Sequence, residues 1–97
     1  MHQVIIDAIA RRRCIVLRYD GFDRVVEPHA YGLTKEGNRV VRVWQVRGGS
    51  VSNEQSGWKL LRTDEVRTAH SSLERAEAPR PGYKRGDAVM VRIIAEV

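Results

Sequence analysis

At Cys14 the apolar pattern of the chain changes from helical spacing to strict alternation, and no later segment returns to helical spacing. Before that point Val4, Ile5, Ala8 and Ile9 lie one turn apart, which predicts a short amphipathic helix. Arg11, Arg12 and Arg13 follow, where cations complement the negative end of the helix dipole. After it, Ile15, Leu17 and Tyr19 point one way and Val16 and Arg18 the other, which is the period of a strand. Asp20-Gly21 supplies a tight turn, because glycine takes positive φ without cost. A second strand is expected over Arg24–Glu27, stopped by Pro28, which has no N–H to donate to a ladder. A turn over Thr34–Asn38 leads to a third strand, Arg39–Val46.

Arg47–Gly57 has almost no apolar content and reads as a long flexible loop. Trp58–Thr63 is a fourth strand, and Asp64–Thr68 holds a turn and a short fifth. Ser71–Asp87 is polar, carries Pro79 and Pro81, and is expected to be irregular. Ala88–Val97 closes the chain as a strand, with Val89, Val91, Ile93 and Ala95 on one face. The expected fold is mainly β with an N-terminal helix: a small antiparallel barrel of about five strands plus a C-terminal strand. Closure would hide the strand edges. The local pattern fits an Sm-like, SH3-type barrel and an OB-type barrel equally.

The 97 residues suit a single domain spanning 1–97. A hydrophobic share of 42% supports a packed core. No apolar run approaches the roughly 20 residues that cross a bilayer, so no membrane association is expected. The first residues lack the basic and apolar regions of a signal peptide, which points to the cytoplasm. Cys14, the single cysteine, stands among Ile15, Val16 and Leu17 with no activating base beside it, so it reads as a buried structural thiol. His2, His29 and His70 show no ligand spacing, so neither a metal nor a cofactor is expected. A net charge of +5 and a pI near 10.0 tilt the balance toward an anionic partner such as nucleic acid. Solubility alone would account for the same excess.

Several residues could carry binding. Arg42 and Trp44 share strand parity, and a guanidinium beside an indole suits phosphate contact with base stacking. A core indole with a solvated arginine at its rim fits the same spacing. His29 leaves a strand end, where it could contact an anion or donate to a backbone carbonyl. Arg24 and Glu27 point to opposite faces; Arg24 is a candidate phosphate contact, and Glu27 is expected to orient an arginine from a neighbouring strand. Lys59 and Arg62 also face opposite ways, and one of them is expected to join the basic site. Gly48-Gly49-Ser50 lacks the lysine and following helix of a phosphate loop. Asp64-Glu65 fits a turn better than a catalytic pair, and no Ser-His-Asp set emerges, so no enzymatic activity is expected.

Four of these segments together resemble the WYL domain family over about residues 4–69: Ala8-Ile9 and the arginines leading to Tyr19; Arg24-Val25-Val26-Glu27-Pro28-His29; the strand Arg39–Val46; and Trp58–Val66. Arg80-Pro81-Gly82-Tyr83 onward looks like an extension of short stand-alone members. The Trp-Tyr-Leu tripeptide that names the family falls near Arg39-Val40-Val41 and is absent; the valines suit a strand, and an aromatic stands three positions on as Trp44. The resemblance implies an Sm-like barrel serving as a bacterial regulatory or sensory module. Such domains occur beside helix-turn-helix regulators and helicases, where they are thought to bind nucleic acid or a nucleotide-like ligand. Taken with the residues above, the resemblance leads to a non-enzymatic module, with Arg24, His29, Arg42, Trp44, Lys59 and Arg62 as candidates for binding an anion. The alternative is a protein-interaction or self-association module, a dimer included, that acts with a separate transcriptional or defence regulator.

Overall fold

A computed structural model describes residues 1–97. Helix α1, His2–Arg11, buries Ile5, Ala8 and Ile9 against the sheet. Arg12 ends it in the left-handed conformation (φ 55°), and its guanidinium donates to the Ile9 carbonyl at 2.8 Å. One of the three arginines thus caps the helix directly. No helix is long and apolar enough to cross a membrane.

The strands are β1 (Arg13–Tyr19), β2 (Phe22–Leu33), β3 (Arg39–Gly48), β4 (Gly57–Arg62), β5 (Thr68–Arg75) and β6 (Arg92–Glu96). A 3-10 turn, Thr63–Glu65, links β4 to β5. Asp20 and Gly21 both have positive φ (50° and 78°), the geometry that matches a tight hairpin to the strand twist. The antiparallel order is β4-β3-β2-β1-β5, with β6 added along the second half of β2. Ile15, Leu17, Tyr19, Val26, Tyr31, Val41, Val43 and Leu61 form the inner face that meets α1. Each such burial stabilises by roughly 1.5–3 kcal/mol. The sheet is bent but not closed: β4 and β5 end it. Near those ends the Tyr19 hydroxyl donates to the Glu65 carboxylate at 2.9 Å and accepts the Arg62 backbone N–H at 3.3 Å.

Four boundaries differ from the sequence expectations. Pro28 does not stop its strand, and β2 runs on to Leu33. It is accommodated at a bulge, where proline's missing donor is tolerated. Pro28 faces Val43 and Ala30 faces Arg42, leaving His29 as the extra residue. The bulge shifts side-chain parity, so Val26 and Tyr31 both enter the core although an odd number of positions separates them. β3 reaches Gly48, which shortens the expected loop. β5 occupies Thr68–Arg75, so the start of the segment expected to be irregular is an edge strand. The closing strand begins at Arg92 rather than Ala88.

The connection between β5 and β6, residues 76–91, crosses the outer face of the sheet as a strap. Its ends are tied by backbone bonds, Ala76 N–H to the Arg12 carbonyl at 2.9 Å and Val91 N–H to the Leu33 carbonyl at 2.8 Å. A small second cluster of Ala30, Val40 and Met90 lies beneath it. Gly32 is where β6 comes closest: a Cβ there would collide with the Arg92 carbonyl and press on the Met90 sulfur. Gly32→Ala is therefore expected to cost about 1–3 kcal/mol in urea unfolding. The accelerated amide exchange should concentrate in Arg92–Glu96; unchanged exchange in β6 would contradict the assigned packing.

Candidate functional site

Alternation along β3 places Arg42 and Trp44 on the outer face, opposite Leu60 and Trp58 of β4. The two indoles meet edge to face, with centroids 5.3 Å apart. The bulge brings His29 to 4.7 Å from Trp58. Tyr83 of the strap stacks over Trp58 at 6.2 Å and lies 5.0 Å from His29. A histidine, two tryptophans and a tyrosine thus form one continuous aromatic group between sheet and strap.

A buried charge fastens this group. Glu27 is 1% exposed. Its carboxylate accepts from Arg80 Nε at 2.7 Å, from Arg80 Nη2 at 3.1 Å and from the Glu77 backbone N–H at 2.8 Å. Such a charge is tolerated only when paired and hydrogen-bonded. The same guanidinium lies 5.4 Å from the centroid of Trp44. The Arg80 backbone N–H donates to His29 Nε2 at 3.0 Å, while His29 Nδ1 lies 2.9 Å from the Glu27 carbonyl. Those two partners set the tautomer: Nδ1 carries the proton and donates, Nε2 accepts, and the ring is neutral. Burial pushes the His29 pKa down and outweighs the opposing pull of Glu27.

Beside the aromatic group opens a cleft of about 390 Å³, with Arg42, Trp58, Tyr83, Lys84, Arg85 and Asp87 on its walls. Gly82, at φ +90°, lets the strap turn over the indole; a Cβ there would stand 3.5 Å from Trp58 Nε1. Arg42 donates to Asp87 through Nε at 2.8 Å and Nη2 at 3.3 Å, and this holds the Asp87 carboxyl below its usual range. Arg85 reaches Glu96 at 3.2 Å. Three cations and one carboxylate thus surround an aromatic wall, an arrangement suited to a flat anionic molecule. A second depression, formed by Asp20, Gly21, Asp64, Glu65 and Arg67, is acidic. No cluster of histidine, cysteine and carboxylate side chains is arranged to hold a metal ion.

Of the six residues expected to bind an anion, His29, Trp44 and Arg42 gather around Trp58, whereas Arg24, Lys59 and Arg62 stand apart. Arg42 stands on the cleft wall, whereas Trp44 lies under Arg80. Arg24 is 4% exposed on the inner face, donating to the Tyr19 carbonyl at 3.1 Å and to Gln45 Oε1 at 3.3 Å. His29 is buried with both ring nitrogens engaged. Lys59 reaches the hydroxyls of Ser50 and Ser52, each at 3.3 Å. Arg62 is paired with Asp64 at 2.8 Å near the end of β4. Glu27 does orient an arginine, but that arginine comes from the strap and not from a neighbouring strand. Tyr83, Lys84, Arg85 and Asp87 were not expected at a site. Their signal was an aromatic among charges, flanked by Gly82 and Gly86, in a segment otherwise expected to be irregular. Cys14 is buried, and burial pushes its thiol up to about 11, so it is inert at neutral pH.

Arg80→Ala would leave the Glu27 carboxylate buried without its cation. Because Arg80 keeps partial contact with solvent, the expected loss is about 3 kcal/mol, at the low end for a broken buried pair. Arg62→Ala, at an exposed pair, should change urea stability little. Equal losses for the two variants would show that the Glu27 pair does not anchor the strap. Searches with this chain find no matching family model, no matching curated protein and no matching solved structure.

Proposed function

We propose that this protein is a non-enzymatic, cytoplasmic sensory module that binds an anionic ligand with a planar ring in the cleft under the strap. The ligand chemistry is that of a nucleotide, presented free or as part of a single-stranded nucleic acid. One observation carries the reading: the Trp58–Tyr83 wall is bordered by Arg42, Lys84 and Arg85. The cleft volume lies within the range of small-molecule sites. An N-terminal helix followed by a small antiparallel sheet is compatible with the Sm-like, WYL-type reading of the domain.

A second reading, a protein-interaction or self-association module, is favoured by a different observation. β4 and β5 are unpaired on their outer sides, and Leu73 on β5 is 92% exposed. Unpaired edges are templates for another strand.

Tryptophan fluorescence separates the two. Titration with AMP, a short single-stranded DNA and a short single-stranded RNA should quench emission, because Trp58 lines the cleft. Raising the salt should weaken polymer binding, with a log–log slope of about −0.7 per phosphate contacted. Tyr83→Ala should weaken binding roughly tenfold through lost stacking. Lys84→Ala should reduce the salt slope, and Arg62→Ala should leave binding unchanged. No response to any of the three probes, together with a mass that rises with concentration, would replace this reading with the second.

A further inference from the structure

The strap has two parts with different jobs. Glu77 and Arg80 attach it to the sheet, and Gly82 to Ala88 form a wall of the cleft. The attachment converges on Glu27 and on its neighbour two residues along, His29. At His29 the bond from the Arg80 backbone requires a lone pair on Nε2. A second bond reaches the same residue from the strap, Tyr83 hydroxyl to the His29 carbonyl at 3.2 Å.

We propose that His29 is a proton-operated latch: neutral, it holds the strap closed over the sheet, and protonated, it releases the strap and dismantles the cleft. This inference rests on the binding reading only for its consequence; the latch itself is a property of strap and sheet. Protonation places an N–H at Nε2 against the N–H of Arg80, so an attraction becomes a clash of donors. The groups around the ring are these. Glu27 of β2 favours the cation, while Arg80 of the strap and Arg12 at the end of α1 oppose it. Trp58 of β4 and Tyr83 contribute their rings. The segment after β6 contributes the Val97 N–H, donated to the His29 carbonyl at 2.8 Å. Arg80 and the Glu77 amide already take three of the roughly four lone-pair positions of the Glu27 carboxylate.

Linkage gives the direction. The docked ring titrates below the ordinary 6.5 because it is buried, and an open strap returns it toward that value. The open state therefore binds the proton more tightly. Docking is at full strength above about 6.5 and weakens as pH falls, until the docked ring itself titrates.

The test is NMR of the ligand-free wild-type chain, following the ring nitrogens of His29 and the exchange of strap amides. Spectra would be compared between about pH 7.5 and about pH 5, a range in which histidines titrate. Exchange of the Arg80 amide, corrected for its intrinsic rate, should rise as pH falls below 6.5, by at most about tenfold per pH unit. His29→Gln, which offers an amide oxygen to Arg80 and cannot ionise in this range, should remove the dependence. Exchange at Arg80 that ignores pH in the wild type, or a His29 titration with no response in the strap, would overturn the proposal. The wild-type result decides even if His29→Gln does not fold. No ligand is needed, so failure of AMP to bind at neutral pH would count against the binding reading alone.

Discussion

The outer half of this molecule is organised by one carboxylate that has no access to water. Glu27 lies on the face of the sheet turned away from the principal core, where its charge must be matched in place. The match is made by a segment 53 residues later in the chain. Once Arg80 and the Glu77 amide are fixed on Glu27, the strap has little choice of path. The Arg80 backbone falls on His29, its guanidinium on Trp44, and Tyr83 on Trp58. The Coulombic gain of such a pair roughly offsets the cost of desolvating it, so its role is to select an arrangement more than to add stability.

The bulge at His29 makes that arrangement compatible with a continuous core. Without the extra residue, the alternation that buries Val26 would turn Tyr31 outward. With it, Tyr31 stays inside, where its hydroxyl meets the His2 ring at 2.7 Å and helps to seat α1. The same irregularity divides β2 between two partners on one side, with β1 pairing as far as Val26 and β6 pairing from Ala30. One residue of slippage thus joins the helix-packed inner face to the strap-covered outer face.

How far the sequence was legible depended on the range of the interaction. The helix over Val4–Ile9, the Asp20-Gly21 hairpin and the third and fourth strands follow from local period and turn chemistry, and each formed within two residues of the expected bounds or beyond them in continuation. The continuation of β2 through Pro28 was not legible, because a proline is compatible with a strand only at an edge or a bulge, and pairing partners decide which. The fifth strand, expected within Asp64–Thr68, lies later, at Thr68–Arg75, because its exposure pattern is that of an edge, with no apolar face to alternate. The shared parity of Arg42 and Trp44 was readable, but the ion pair of Arg42 with Asp87 was not, since it joins a strand to a distant polar segment. Arg24 looked like a surface cation because nothing local shows that Tyr19 and Gln45 enclose it.

The division of the strap has a consequence for how such a domain diversifies. Its anchoring residues are answerable to a buried charge, so substitution there is paid for in folding. Its cleft-lining residues, Gly82 to Ala88, contribute nothing to the cluster that packs sheet against helix. Changes at Lys84 or Arg85 can alter the shape and charge of the cleft while the scaffold stays the same. The lining of the cleft is free to drift on a short peripheral segment, under a tether that keeps the segment in place.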